Sequence, residues 1–223
     1  MHRDTPEGRG TVIDLSLPIY HMMPAVPTGP KVSVVPFSST KDQWYTKRET
    51  SNNTQLVLGT HSGTHMDAPY HFIDDGLTID QISLARCVGE AFVVDLSNKG
   101  STRGITVEDL EPYEDRIVKC GKLLLYTGWD RFWGQKEYFQ DTPYLTADAA
   151  IYLATKIHLI GTDVFTIDRG TPEAHRILLG NGIIIVEALT NLDKIAGKIV
   201  YFIVLPLNIK GRDGAPVRAI AFV

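Results

Sequence analysis

Short apolar runs recur along the chain, broken by turn-forming residues, and their spacing sets the expected elements. Runs rich in Val, Ile and Leu predict strands at Thr11–Leu17, Val32–Phe37, Gln55–Thr60, Glu90–Leu96, Lys122–Thr127, Ile157–Gly161, Gly182–Ala188, Ile199–Leu205 and Val217–Phe222. Most are short and almost continuously apolar, as in strands buried on both faces. Helical signals fall between them. Thr78 can cap IDQISLARC, Thr106 precedes VEDLEPY, and Thr146 precedes ADAAIYLATK with Asp148 in its first turn. Thr171-Pro172 offers a cap and a proline at the first helical position ahead of EAHRILL, with Gly180 as the stop. Strands alternating with short helices predict an α/β class with a mixed sheet. Because strands outnumber strong helices, that sheet is expected to be curled or barrel-like. No repeat or Gly/Ser/Pro linker divides the chain, so residues 11–223 are read as one domain and 1–10, polar and charged, as a disordered tail.

Composition changes this picture little and excludes more than it selects. A chain of 223 residues can bury roughly 70% of its unfolded surface in one core. Hydrophobic residues at 43% and charged residues at 22% are ordinary for a soluble domain. A net charge of −4, with no Lys/Arg run longer than two, gives no electrostatic support for nucleic-acid or membrane partners. The longest apolar stretches, such as IVYFIVLP, are far short of the ~20 residues of a membrane span. The N-terminus lacks an apolar signal core, which predicts a cytoplasmic protein. Cys87 and Cys120 are too few for a disulfide framework and are read as buried, reduced thiols.

Candidate chemistry is concentrated in the run HSGTHMDAPYH, residues 61–71. Imidazoles with a carboxylate suit zinc, manganese or iron, and a set of three protein ligands, His61, His65 and Asp67, leaves room for water or substrate. On one regular helix His61 and His65 would share a face while Asp67 pointed away, and Pro69 forbids a helix interior. On an extended strand His61 and Asp67 would stand ~20 Å apart at ~3.3 Å per residue. The segment must therefore curl, with Gly59 and Gly63 supplying the freedom. His71, beyond Pro69, is read as a rim residue able to shuttle a proton, its unperturbed pKa being ~6.5.

A second pair carries a weaker signal. His175 lies on the helix after Thr171-Pro172, and Glu187 closes the apolar strand GIIIVEA, where a carboxylate is costly unless paired or metal-bound. His158, beside Ile157 in an apolar run, is read as packing. His2 and His21 carry no signal.

These residues resemble a known family. His61-x-Gly63-Thr64-His65-x-Asp67-Ala68-Pro69-x-His71 is similar to the signature of the cyclase-like metal hydrolases, with their kynurenine formamidase and isatin hydrolase branches. VIDLSLPI, LIGTDVFTID and LPLNIKGRDGAPVRAIAF resemble the family's first strand, middle and C-terminal segments, so the likeness covers most of the chain after the first ten residues. It implies a swivelling β/β/α-like fold and a homodimer. It makes His61, His65 and Asp67 metal ligands, His71 the catalytic acid/base, and His175 with Glu187 the pair that helps hold a second ion in the formamidase branch. One or two ions, zinc or manganese, are compatible with it. The formamidase branch also places a substrate-contacting tryptophan in its first loop, where this chain has Val26. Trp44, Trp129 and Trp133 are read as core or interface aromatics.

The expected reaction is hydrolysis of a small amide, a formamide or a cyclic amide, by a metal-activated water with His71 moving the proton. Two other classes stay open on the residues alone. His65, Asp67 and His175 could form the triad of a non-haem iron oxygenase, although that leaves His61 and His71 without roles. A non-catalytic metal-binding protein would want four closed protein ligands.

Overall fold

The computed structural model describes residues 10–26, 29–38, 51–99 and 104–223. Its strands are β1 (Val12–Asp14), β2 (Ser33–Ser38), β3 (Asn53–Val57), β4 (His65–Asp67), β5 (Val88–Asp95), β6 (Gly104–Ile105), β7 (Lys122–Tyr126), β8 (Tyr144–Leu145), β9 (Leu159–Thr162), β10 (Ile184–Glu187), β11 (Ile199–Pro206) and β12 (Gly214–Phe222). Seven of them close a barrel in the order β12-β11-β5-β7-β9-β10-β4, the ring being completed by β4 against β12. The β5, β7, β9 and β10 pairings are parallel and the others antiparallel, so the sheet is mixed, as expected. Closure depends on β12 changing partners along one edge. Gly214–Pro216 pair with β4, whereas Ile220–Phe222 pair with β1.

Period-two alternation sorts the side chains into two cores. Ala91, Val93, Leu124, Leu159, Ile184 and Val186 point into the barrel. Their neighbours Phe92, Val94, Leu123, Leu125, Ile160 and Ile185 point outward. There they meet the helices α1 (Val107–Leu110), α2 (Glu114–Cys120), α3 (Ala147–Leu153) and α4 (Glu173–Gly180). The parallel strands thus read as continuous apolar runs because both of their faces are covered. Truncating fully buried Leu124 to alanine would cost ~2–5 kcal/mol.

Helix starts and stops follow the sequence signals unevenly. Thr146 caps α3 as anticipated, its hydroxyl oxygen accepting the Ala149 N–H at 3.3 Å. The single helix expected after Thr78 is instead two 3₁₀ turns, Ile79–Gln81 and Leu84–Cys87, with Ile82 and Ser83 extended between them. Buried Ile79 and Ile82 are three apart, the spacing a threefold turn aligns. After Thr106 the chain forms α1 and a 3₁₀ turn at Glu111–Tyr113 that begins beside Pro112. It then continues into α2, which the sequence reading missed, and Gly121 at φ 61° ends it. Of the boundaries expected for α4 only the end holds: Thr171 does not cap it, but Gly180 is its last residue, and the chain turns at Gly182 with φ 71°.

β2 and β3 form a separate two-stranded sheet and expose Val35, Phe37, Leu56 and Val57. Trp44 and residues 1–9 of the expected tail lie outside the described residues.

Candidate metal centre

The curl required of residues 59–67 is real, but only its first half is a turn. Gly63 takes φ 64° within it, a left-handed conformation that costs glycine little. Thr64 then fixes the exit: its hydroxyl donates to the Ala188 carbonyl at 2.6 Å and accepts the Leu17 N–H at 2.8 Å. From there His65–Asp67 run extended as β4, in register with β10 so that His65 lies opposite Glu187. Met66 points into the barrel, and His65 and Asp67 therefore share the outer face with Glu187. Gly59 serves a different purpose from the one expected. It has no positive φ, and a Cβ there would lie 2.3 Å from the Pro30 ring. It permits a close approach rather than a turn.

Asp67 is the centre of the arrangement. Its Oδ1 lies 2.7 Å from His61 Nδ1 and 3.4 Å from His65 Nε2, while its Oδ2 lies 3.3 Å from His175 Nε2. Glu187 spans the same two rings, with Oε1 at 3.3 Å from His175 Nε2 and Oε2 at 3.6 Å from His65 Nε2. Helix α4 carries His175 onto the β10 carboxylate, so five side chains from three places in the chain converge. His71, at the end of a 3₁₀ turn over Pro69–His71, stacks on His61 with centroids 4.0 Å apart.

Each inward-facing imidazole is held from behind. His65 Nδ1 donates to the Gly63 carbonyl at 2.8 Å, His61 Nε2 to Asp213 Oδ2 at 2.5 Å, and His175 Nδ1 to Asp168 Oδ2. A carbonyl only accepts, so His65 keeps its proton on Nδ1 and leaves Nε2 to offer a lone pair, whereas His61 Nδ1 and His175 Nε2 face the Asp67 and Glu187 carboxylates and hold protons that a cation would displace. Asp67 Oδ2 is buried without a hydrogen-bond partner among the described residues. A buried carboxylate oxygen without a hydrogen bond is costly alone, and a divalent cation satisfies it. The donor set fits such an ion.

Asp168 and Asp213 were missed in the sequence, although both lie in segments that carry the family resemblance. Asp168 also accepts the Ala174 and His175 N–H groups and so does the capping expected of Thr171. An aspartate five residues before a helix start is not a usual cap spacing, and only the fold brings it there.

The charges within the cluster offset one another. Burial opposes a charge on His61, but the Asp67 and Asp213 carboxylates outweigh it and raise the imidazole to about 9. Burial also opposes a charge on His175, and Glu187 and Asp168 outweigh it, leaving that imidazole well above its usual range. Burial opposes a charge on Asp67, but the imidazoles of His175 and His61 beside it outweigh this and hold the carboxyl well below the usual carboxylate range. His71 goes the other way. Burial, reinforced by His61 and His175, brings it down to about 4 against the pull of Asp67.

A cavity of about 770 Å³ opens beside these residues. Val26 lines one side of it, and Phe72, Trp133, Tyr138, Phe139 and Phe165 face it from the others. Trp133, read as core or interface, packs against the Trp129, Tyr138 and Val164 cluster and also lines this cavity. Trp129 is core, as expected. His158 lies away from the site beside Gly121, His21 accepts the Val34 N–H at 3.3 Å, and Cys87 and Cys120 are free and buried.

A seven-stranded barrel with an imidazole–carboxylate centre on its outer wall defines the class, and the comparisons place the chain within it. The Cyclase family model matches residues 13–169, and the chain belongs to that family. It is 35% identical to a kynurenine formamidase from Bacillus cereus over 214 residues, 93% of this chain and 95% of that protein. Among solved structures it is similar to an isatin hydrolase bound to the product analogue thioisatinate, with TM-score 0.84 and 27% identity over 97% of this chain and 93% of the other. A potential metal-dependent hydrolase with cyclase activity superimposes at TM-score 0.78 and 28% identity, covering 95% of this chain and 97% of the other.

Proposed function

We propose that this protein is a metal-dependent hydrolase that cleaves an amide C–N bond in a small molecule, a formamide or a cyclic amide. The observation that carries this is the Asp67 carboxylate, buried with its two oxygens facing two different sets of donors. In this reading His61, His65 and Asp67 hold one divalent ion, and Asp67, His175 and Glu187 offer a second position. Zinc or manganese suits these nitrogens and oxygens. Such an ion lowers the pKa of water towards ~7 and polarises a carbonyl.

The chain's own residues supply the rest. His71 is neutral at pH 7 because burial depresses it to about 4. It is therefore suited to take a proton from the attacking water and pass it to the leaving nitrogen. The aromatic walls around Trp133 and Phe165 favour a flat, apolar substrate and exclude water. Val26 gives up the contact an aromatic side chain would make, which separates this cavity from the formamidase pattern. His65, Asp67 and His175 do converge, as an oxygenase triad requires, but that chemistry leaves His61 and His71 idle in the same cluster. Relatives named for formamidase and hydrolase activity also favour hydrolysis. Exposed Phe37 and Leu56 on the β2–β3 arm support a homodimer, and two free thiols support a cytoplasmic location.

The test is a screen of aryl formamides, isatin and lactams with zinc- or manganese-loaded protein, with and without chelator. Chelator-sensitive release of a carboxylate or formate is expected. No turnover of any of these by metal-loaded protein would overturn the assignment in favour of a binding protein.

A further inference from the structure

Asp213 stands at the entry to β12. Its backbone oxygen accepts the Ala68 N–H at 2.9 Å, and the following residue, Gly214, lies opposite Asp67 in the sheet. A Cβ on Gly214 would sit 2.7 Å from the Met66 carbonyl oxygen and 2.9 Å from His61 Cε1. The glycine is what lets this strand come so near the His61 ring. One carboxylate oxygen of Asp213 then meets three groups. Oδ2 accepts from the Thr60 hydroxyl at 3.1 Å and from His61 Nε2 at 2.5 Å, and lies 3.8 Å from His71 Nδ1.

His61 has more need of such a partner than the other rings. The side chains of His65 and His175 are each 5% exposed and wedged between strands or under α4, whereas that of His61 is 26% exposed. Its stacking on His71 fixes the plane of the ring but not which nitrogen carries the proton. Without a carboxylate at Nε2, Asp67 Oδ1, 2.7 Å from Nδ1, would draw the proton of a neutral ring onto Nδ1, the nitrogen that faces the metal position.

We propose that Asp213 is a positioning residue for the reaction: it holds a proton of His61 on Nε2, so that Nδ1, beside Asp67, is the nitrogen left to a divalent cation. This rests on the hydrolase reading above. A carboxylate behind a ligating imidazole fixes its tautomer and its basicity, and losing one costs about 10–100-fold in metal affinity.

Zinc calorimetry and long-range ¹H–¹⁵N spectra of the zinc-loaded protein test this. In the wild type the His61 ring is expected protonated at Nε2, with zinc on Nδ1. Asp213→Asn keeps the shape but can rotate an N–H towards His61. It should bind zinc roughly 10–100-fold more weakly, populate the other tautomer, and lose kcat with KM little changed. Asp213→Glu should recover part of the zinc affinity. If Asp213→Asn fails to fold, Thr60→Val, which removes one donor to the same oxygen, should shift zinc affinity in the same direction by a smaller factor. Wild-type zinc affinity in both Asp213→Asn and Thr60→Val would overturn the inference, and so would a wild-type His61 protonated at Nδ1. A wild-type protein that binds no zinc or manganese would instead sink the metal reading itself, and this inference with it.

Discussion

The two oxygens of Asp67 face two differently built halves of one site. The Oδ1 half comes from residues 61–67, a turn and a three-residue strand, and it is partly open: the His61 side chain is 26% exposed. The Oδ2 half comes from a helix and a strand far along the chain, and both His175 and Glu187 are buried. The near half is assembled locally and then braced from a distance by Asp213. The far half is assembled by tertiary contact and then braced by Asp168, only seven residues before His175. In the proposed reaction substrate would react at the open half, beside His71, and the closed half would serve as an anchor.

The largest test removes what the halves share. Asp67→Ala should lose metal from both and cut turnover by at least ~10⁴-fold, because an ion's several kcal/mol of charge stabilisation disappear at about 1.4 kcal/mol per tenfold. Metal analysis and a turnover assay check it, and metal retained at wild-type level would show that Asp67 is not the hub. Next comes His71→Ala, expected to lower kcat by ~10²–10⁴-fold while metal stays bound. Metal lost from that variant would make His71 a ligand of the open half. His175→Ala separates the halves: zinc titration should show one fewer ion with the Oδ1 ion retained. Unchanged stoichiometry would mean that the closed half holds no ion of its own.

Acid should act on the open half through His61. Its imidazole is raised from 6.5 to about 9 in the metal-free fold. The stabilisation this gives is fully present below pH 6.5 and is lost as pH rises through 9. Metal must displace that proton, so apparent zinc affinity should rise about tenfold per pH unit below pH 9 for each proton released. Calorimetry in buffers of different ionisation enthalpy counts those protons, and a pH-independent affinity with no release would refute the charge assignment. The smallest effect belongs to the cavity wall. Val26→Trp should lower KM for an aryl amide by a few-fold, as one aromatic contact worth ~0.5–1.5 kcal/mol implies, and leave kcat nearly unchanged. A fall in kcat without any gain in KM would show that residue 26 does not meet the substrate.

The same division runs through what could be read beforehand. The strands that became β5, β7, β9 and β10 were visible as apolar runs because both of their faces are covered, and β11 because even its exposed side carries Ile199, Tyr201 and Leu205. β4 was invisible. A strand of three residues with a histidine and an aspartate on one face has no hydrophobic period, and it exists because β10 and β12 supply partners on both edges. α2 was hidden by Pro112, which reads as a break but lies in a 3₁₀ turn that leads into the helix. That Trp133 would pack on an aromatic cluster was legible, but its place on the cavity wall was not, because only the fold brings that cluster beside the site.

By itself the chain determined that metal chemistry was to be expected at His61, His65 and Asp67, that the segment holding them must curl, and that alternating apolar runs would build an α/β barrel. Those conclusions rest on residue types and on distances a short chain can span. Only the tertiary structure decided that β12 closes the barrel, that Glu187 and His175 reach the free side of Asp67, and that Asp168 and Asp213 stand behind the histidines. Each of these is a contact between segments distant in sequence, and spacing along a chain carries no information about such contacts until the barrel closes and brings the strand edges together.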